Sequence, residues 1–180
     1  MRVVIPYTRQ YHPLARKSHL RIDNAELVDV SGDENNYHRL LERLWSDGES
    51  FLLIEHDIEQ TDIALEEART CECLWGASPY VIGEGGNLWS RALGFTRFRA
   101  ELMAREPDLM VAAGRSRPQD VSGSADWRIL DSRIDGILRA RHYDVCVHSP
   151  VVHHHIYGGV CVCGTDHPDF KVDQEGRYII

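Results

Sequence analysis

The stretch Phe51-Leu52-Leu53-Ile54-Glu55-His56-Asp57-Ile58-Glu59 runs from four apolar residues straight into an acidic segment. A continuous apolar run of this length is typical of a strand that is buried on both faces of a sheet. Glu55 and Asp57 then lie at the carboxyl end of that strand. Because side chains at i and i+2 point the same way along an extended chain, both carboxylates could face one divalent cation. The alternative interpretation is that the strand ends in an ordinary charged turn.

Length and composition favour a single soluble domain. The chain has 180 residues, of which 43% are hydrophobic and 27% are charged, and these proportions are typical of globular proteins. No apolar run approaches the ~20 residues of a membrane span, and the first residues lack the apolar region of a signal peptide. We therefore expect an intracellular protein whose five cysteines are thiols or metal ligands rather than disulfides.

The charge of the chain is unevenly distributed. The net charge of -8 argues against a general nucleic-acid binder. Residues 91–141, however, hold ten arginines against seven acidic residues, and no lysine. Arginine suits bidentate contact with phosphates or carboxylates, although a solvated helical surface explains this segment equally well.

Hydrophobic periodicity predicts an α/β fold. The predicted strands are residues 2–7, 25–30, 51–54, 74–82, 92–98 and 142–148, and the predicted helices are residues 37–45, 62–69, 99–106 and 127–138. Residues 113–124 are rich in Gly, Ser, Arg and Pro, which predicts a mobile loop. Strands that alternate with helices in this way indicate a sheet with helices on its faces.

Polar residues follow several of these strands at the point where each one ends. Thr8 and Arg9 follow the first strand and Asp29 lies near the tip of the second, just as Glu55 and Asp57 follow the third. In open α/β sheets, ligands bind beyond the carboxyl ends of the strands. The sequence therefore predicts a ligand cleft at this edge.

The pattern of these strand ends resembles a known family. A first strand that ends in Pro-Tyr-Thr, a second that ends in Val-Asp-Val-Ser and a third that ends in an acidic pair are similar to the nucleotide-binding half of GT-A-type glycosyltransferases. More closely, the chain resembles short GT-A-like proteins encoded by bacteriophages of actinobacteria. The matching stretches are residues 3–9, 26–32, 51–58, 92–98, 127–136 and 142–155. The family's usual Asp-x-Asp is Glu55-His56-Asp57 here, which leaves open which carboxylate contacts the metal.

The resemblance implies a Rossmann-type three-layer sandwich with a mostly parallel sheet. One domain would span residues 1–155, with a nucleotide-sugar half at about 1–60 and an acceptor half at about 75–155, followed by a C-terminal tail at 156–180. The implied location is the cytoplasm, which is that of the host if a phage encodes the protein. The residues do not define an oligomeric state.

The resemblance also implies metal-dependent transfer of a sugar from a nucleotide-sugar donor to an acceptor hydroxyl. A divalent cation, Mn²⁺ or Mg²⁺, would neutralise the charge that develops on the departing diphosphate. Its ligands would be Asp57 and a histidine, because the family often has a metal-ligating histidine after the last core strand. The run His153–His155 occupies that place, and we expect His153 to be the ligand. The expected contacts with the donor are Thr8, Arg9, Asp29 and Glu55.

On the acceptor side, the resemblance implies a catalytic carboxylate and small residues that allow close approach. We expect Asp131 to be the base, with Asp126 as the alternative. Gly94, Thr96 and Arg97 are expected to bind the acceptor, which would be a modified base in phage DNA or a phage structural protein. The alternative hypothesis is a non-catalytic module, built on a degenerate GT-A fold, that binds a nucleotide or a partner.

The cysteines allow a separate zinc hypothesis. The pair Cys71 and Cys73 could combine with Cys161 and Cys163 in a four-cysteine site. The last two cysteines could instead form a smaller site with His167. Free thiols are the alternative.

Overall fold

The computed structural model describes residues 1–9, 11–33, 35–82, 87–89, 93–114, 130–157, 160–163, 171–172 and 178–179. Its helices are α1 (Pro13–His19), α2 (Asn36–Asp47), α3 (Asp62–Thr70), α4 (Ala100–Arg105), α5 (Leu109–Gly114) and α6 (Leu130–Ala140). Its strands are β1 (Arg2–Tyr7), β2 (Glu26–Asp29), β3 (Phe51–Ile54), β4 (Ile58–Glu59), β5 (Trp75–Ala77), β6 (Tyr80–Ile82), β7 (Asn87–Trp89), β8 (Phe95–Phe98), β9 (Cys146–Val147), β10 (Val152–Tyr157), β11 (Val160–Cys163), β12 (Lys171–Val172) and β13 (Tyr178–Ile179).

The main sheet has six strands in the order β2-β1-β3-β8-β5-β9. Five of them run in one direction, and β8 is antiparallel to both of its neighbours. The central strand β3 is fully buried at all four of its residues, as expected for a strand that is covered on both faces. The predicted Rossmann-type α/β sandwich with a mostly parallel sheet is therefore confirmed.

Helices cover both faces of this sheet and form two hydrophobic cores. Phe51 and Leu53 of β3 pack with the apolar sides of α2, α4, α5 and α6. Leu52 and Ile54 point to the opposite face and pack with α3 and with residues such as Ile22 and Val151. Because side chains alternate between the two faces of a strand, the single apolar run of β3 contributes to both hydrophobic cores.

Two local signals place the boundaries of α2 and α3. Gly48 ends α2 in a left-handed conformation with φ of 69°, which glycine adopts without strain. Thr61 precedes α3, and its side-chain oxygen accepts a hydrogen bond from the Ala64 amide at 3.1 Å. Among the helices of the described residues, none has both the length and the apolar character needed to cross a membrane.

The region after α6 differs from the sequence prediction. The strand expected over residues 142–148 is limited to β9, because His142 has a positive φ of 63° and the chain is still turning at the end of α6. That strand is also not the last one, since β10 follows it and pairs antiparallel with β4 and β11. Pro150 does interrupt the chain between the two strands, as the sequence indicated.

Two short helices were not predicted. Helix α1 begins with Pro13 at its first position but carries no apolar stripe, and α5 occupies part of a segment in which no helix was expected. Residues 113 and 114, which we had placed in a mobile loop, belong to α5. The remainder of that predicted loop, residues 115–124, lies outside the described residues.

Candidate functional site

The carboxyl ends of β1 and β2 lie side by side. Tyr7 pairs with Asp29, and the Val30 amide donates a hydrogen bond to the Tyr7 carbonyl at 3.0 Å. Thr8 and Arg9 follow directly and therefore come next to Asp29. The parallel register thus brings these three predicted residues together at one edge of the sheet.

Asp29 is exposed and held as an anion. The Ser31 hydroxyl and the Ser31 amide both donate to its Oδ1, the amide at 2.8 Å. These two hydrogen bonds lower the pKa of Asp29, and the positive charge of Arg9 lowers it further. The end of β2 therefore presents an oriented carboxylate to solvent.

Glu55 lies at the end of β3 and is held from two sides. Its amide donates to the Gly94 carbonyl at 2.8 Å, and the Tyr37 hydroxyl donates to its Oε1 at 2.5 Å. Burial raises the pKa of Glu55 to about 7, and the negative charge of Asp57 adds to this effect. The hydrogen bond from Tyr37 opposes the shift without cancelling it. Glu55 is consequently poised to gain or lose a proton near neutral pH.

Asp57 faces His153 across the pairing of β4 with β10. Ile58 is the register partner of His153, and the His154 amide donates to the Asp57 carbonyl at 2.8 Å. This backbone pairing brings His153 Nε2 to 3.2 Å from Asp57 Oδ2. The two side chains are only 10% and 23% exposed, so the contact is largely withdrawn from solvent.

The tautomer of His153 follows from its second contact. Its Nδ1 lies 3.1 Å from the Val81 carbonyl, which only accepts hydrogen bonds, so Nδ1 carries a proton. Its Nε2 therefore offers Asp57 either a second proton or a lone pair. Burial lowers the pKa of His153, but the hydrogen bond and charge of Asp57 outweigh this and raise it above its ordinary value. Without a metal ion, a proton between His153 Nε2 and Asp57 Oδ2 is therefore favoured.

The contact with His153 also determines the charge of Asp57. Burial pushes the pKa of Asp57 upward, but the hydrogen bond and charge of His153, together with the charge of His56, bring it below its ordinary value. Its other oxygen, Oδ1, is buried and has no hydrogen-bond partner among the described residues. A buried anionic oxygen of this kind beside an imidazole nitrogen fits the ligand preferences of a divalent cation.

Asp57 and His153 together offer a cation two ligand atoms, a carboxylate oxygen and an imidazole nitrogen. Within the described chain, the only group in which three His, Cys, Asp or Glu ligand atoms converge is that of Cys71, Cys73 and Cys146. A cation at Asp57 and His153 would accordingly take further oxygen ligands from solvent or from a bound phosphate.

His56 connects the ends of β1 and β3. Its Nε2 lies 3.1 Å from Thr8 Oγ1. Burial lowers the pKa of His56, and the charge of His153 contributes in the same direction. The contact with His56 therefore positions the Thr8 hydroxyl at this edge of the site.

Asp131 lies at the start of α6, and its Oδ1 accepts a hydrogen bond from the Ser132 amide at 2.7 Å. Burial raises the pKa of Asp131. Its negative charge in turn raises the pKa values of Tyr37, Glu55 and Tyr80, so it lies within electrostatic reach of the Glu55 end of the site. Asp126, the alternative base, lies outside the described residues.

The three predicted acceptor residues lie at different depths because β8 runs antiparallel to β3. Gly94 is next to Glu55, whereas Thr96 pairs with Leu53 in mid-sheet and is 1% exposed. Arg97 is one residue further from the cleft, is 5% exposed and donates from Nη1 to the Cys73 carbonyl at 2.9 Å. The structure therefore brings Gly94 to the site and places the other two side chains inside the sheet.

The ring of Tyr80 covers Gly94. A Cβ atom added at this glycine would lie 2.6 Å from Tyr80 Cε1, so only glycine allows the ring to approach so closely. A hydrogen bond from the Gly94 backbone lowers the pKa of Tyr80, but burial dominates and raises it well above its ordinary value. Tyr80 also lies against His153, with ring centroids 5.0 Å apart.

Sequence reasoning missed Tyr37 and Tyr80 as parts of this site. We had counted Tyr37 only as the first apolar residue of the α2 stripe. Because α2 starts just after the carboxyl end of β2, its first turn lies at the ligand edge, and this topology could have identified the tyrosine. No comparable signal exists for Tyr80, whose contacts with Gly94 and His153 depend on tertiary packing.

Comparison with known proteins adds information about the fold. No known protein family model matches the chain, and no curated protein matches it in sequence. The solved structure of A197 from STIV is similar over 91% of both chains, with a TM-score of 0.52 and 12% identity. A glycosyltransferase involved in the glycosylation of the major capsid of PBCV-1 is similar over 82% of both chains, with a TM-score of 0.43 and 10% identity.

These observations define the fold class of the chain. The chain is a Rossmann-type α/β protein that shares its overall fold with A197, as the likeness across nearly the whole of both chains shows. At this level of identity the likeness concerns the fold alone. What the cleft does must be argued from its own side chains.

Proposed function

We propose that the protein is a metal-dependent glycosyltransferase that moves a sugar from a nucleotide-sugar donor to an acceptor hydroxyl. One observation carries the proposal. Asp57 and His153 face each other at 3.2 Å, His153 is held by the Val81 carbonyl, and Asp57 Oδ1 is buried without a hydrogen-bond partner in the described protein.

The donor set of this pair is suited to a divalent cation. Carboxylate oxygen and imidazole nitrogen together favour Mn²⁺ over Mg²⁺, which prefers oxygen ligands. Asp57 and His153 would hold the ion. When bound, it would neutralise the charge that develops on the nucleoside diphosphate leaving group.

The neighbouring strand ends supply contacts for the rest of the donor. The Asp29 carboxylate is exposed and anionic, and it can accept hydrogen bonds from ribose hydroxyls. Arg9 is exposed beside it and offers a positive charge to a phosphate. Thr8 is fixed by His56, and we assign it to the nucleoside. Glu55, which exchanges its proton near neutral pH, would contact the sugar.

We assign the role of base to Asp131. Its burial and raised pKa increase its affinity for a proton, which suits a group that takes one from an acceptor hydroxyl. The ten arginines in residues 91–141 favour an acceptor that carries negative charge. A modified base in phage DNA fits this best, and a phage structural protein is the second possibility.

A second candidate function is a non-catalytic module that binds a nucleotide or a partner. This second hypothesis is favoured by Glu55, which accepts a hydrogen bond from Tyr37 at 2.5 Å and has a pKa of about 7. Such a carboxyl group is a poor metal ligand when protonated, which leaves Asp57 as the single acidic ligand of the pair.

The test uses the full chain with a panel of nucleotide sugars. We expect Mn²⁺-dependent hydrolysis of one donor that a chelator abolishes. Asp57→Asn should lower this turnover by at least about 100-fold, because the buried anionic ligand is lost. Asp23→Asn, an exposed aspartate between α1 and β2, is the matched control and should retain turnover.

Two outcomes separate the hypotheses. Turnover that survives Asp57→Asn contradicts the metal assignment. Tight nucleotide binding without turnover of any donor favours the binding module. Mass spectrometry of phage DNA and capsid, produced with and without this gene, would then identify the acceptor.

A further inference from the structure

A group of three cysteines lies at the end of the sheet opposite the candidate active site. Cys71 and Cys73 follow the carboxyl end of α3, and Cys146 begins the edge strand β9. Their sulfur atoms all lie within 4.8 Å of one another, and all three cysteines are free. The sequence hypothesis had paired the first two with Cys161 and Cys163, whereas the fold brings Cys146 to them.

The backbone around the first two cysteines is held in place. The Cys71 amide donates to the Glu67 carbonyl at 2.9 Å and caps α3. Arg97 donates to the Cys73 carbonyl at 2.9 Å, and Arg99 donates to the Glu72 carbonyl at 2.8 Å. The thiols therefore converge on a preorganised loop, which lowers the entropy lost when they bind a common ligand.

The surroundings are suited to a negatively charged complex. Arg97 is 5% exposed and close enough to Cys71 and Cys73 for favourable charge interaction with their thiolates. Its Nε has no hydrogen-bond partner among the described residues. Three thiolates around a divalent ion carry one net negative charge, which this guanidinium would offset.

We propose that Cys71, Cys73 and Cys146 bind one zinc ion through their thiolates. Thiolate sulfur selects soft or borderline ions, and zinc takes such ligands at about 2.3 Å, which brings the sulfurs within about 4 Å of one another. Only a small contraction of the group is then needed. Zinc displaces three thiol protons, and solvent takes the fourth position, because no fourth His, Cys, Asp or Glu atom joins the group in the described chain.

Such an ion would tie the end of α3 to the edge strand β9. Burial raises the pKa of Cys146 to about 12, and its hydrogen bonds with Cys73 and Cys71 add to this, so the metal-free Cys146 thiol stays protonated at neutral pH. Zinc binding should therefore release protons and raise the melting temperature of the folded chain.

The experiment measures zinc in the full-length chain after reduction and gel filtration. We expect about one zinc per chain in the wild type, and less than about a tenth of that in Cys73→Ser and Cys146→Ser. The double variant C161S/C163S is the matched control and should keep its zinc. Loss of zinc from this control but not from Cys146→Ser would overturn the proposal, as would a wild type that binds no zinc.

A second measurement needs no substitution and so does not depend on whether the variants fold. The wild type is alkylated with iodoacetamide with and without zinc, and each cysteine peptide is quantified by mass spectrometry. Zinc should slow the modification of Cys71, Cys73 and Cys146 by at least about tenfold relative to Cys161 and Cys163. Equal modification rates with and without zinc would contradict the site.

Discussion

The two ends of the six-stranded sheet carry different kinds of ligand chemistry. At the carboxyl end, Asp57 and His153 present oxygen and nitrogen atoms, and a second carboxyl group, Glu55, is held by Tyr37. At the amino ends of β5 and β9, the converging atoms are three sulfurs beside Arg97. Hard and soft donors favour different ions, so the two proposed sites are expected to differ in the metal that each prefers.

The two sites also differ in how far apart their residues lie in the sequence. Two of the three cysteines are separated by one residue, and only Cys146 comes from a distant segment. The Asp57–His153 pair joins residues 96 positions apart, and it depends on the pairing of β10 with β4. Each site therefore requires one long-range strand pairing, that of β4 with β10 for Asp57 and His153 and that of β5 with β9 for the cysteines.

The largest expected effect tests whether the two ends are independent. His153→Ala should lower metal-dependent kcat/KM by about 100-fold, because it removes a proposed metal ligand, and it should leave zinc content unchanged. Cys146→Ser should do the reverse, with loss of zinc and less than about a threefold change in kcat/KM, because the two sites share no residues. Steady-state kinetics and metal analysis of the same preparations measure both. Loss of both properties in either variant would show that the ends are coupled.

The next effect tests how closely the carboxyl end is packed. Gly94→Ala would place a methyl group 2.6 Å from the Tyr80 ring and should destabilise the fold by about 1–3 kcal/mol. Gly136→Ala is the matched control, because a Cβ at that position of α6 meets nothing within 4 Å and should stabilise the helix by roughly 0.5–1 kcal/mol. Urea denaturation measures both changes. Equal free energies of unfolding in the two variants would contradict the close contact.

A smaller effect depends on pH and concerns Glu55. Its pKa is raised from 4.5 to about 7 in the folded protein, so between these values the folded chain keeps a proton that the unfolded chain has lost. Rising pH therefore lowers the stability of the wild type across this window. Glu55→Gln does not titrate, and without divalent metal its melting temperature should exceed that of the wild type above pH 7 by several degrees and converge with it below pH 4.5.

The exposed residue Glu49 provides the control for this experiment. Glu49→Gln should change the melting temperature less than Glu55→Gln does, because its side chain is exposed to solvent. Melting curves of the three proteins, recorded with a chelator, decide the question. A constant difference between Glu55→Gln and the wild type would mean that the effect does not come from titration.

Much of the fold could be predicted because its central elements have strong local signals. The apolar runs of β1 and β3 have the predicted bounds, and the periodic stripe of α2 gave its position. Strand β10 was missed because its sequence contains His153 and His154, whose polar side chains are nevertheless mostly buried. Their partners Asp57 and Glu59 explain this burial, and the periodicity of the sequence does not reveal them.

The candidate site could be located in part for a topological reason. The carboxyl ends of parallel strands meet at one edge, so the sequence alone predicts that Thr8, Asp29 and Glu55 lie together. The buried positions of Thr96 and Arg97 could not be inferred, because they follow from the antiparallel direction of β8. Their contact with an acceptor remains a prediction, as do the assigned roles of the other site residues.

The smallest effect concerns α3, which is capped by Thr61 at its start and by Cys71 at its end. Thr61 caps its first turn by accepting a hydrogen bond from the Ala64 amide, so Thr61→Ala should destabilise the fold by about 1 kcal/mol. Thr61→Ser keeps the accepting oxygen and should restore stability. If zinc holds the other end of the helix, the loss in Thr61→Ala should be the same with and without zinc, because the ion and the cap act on opposite ends. Urea denaturation under both conditions measures this, and a loss confined to the zinc-free protein would show that the two ends of α3 unfold together.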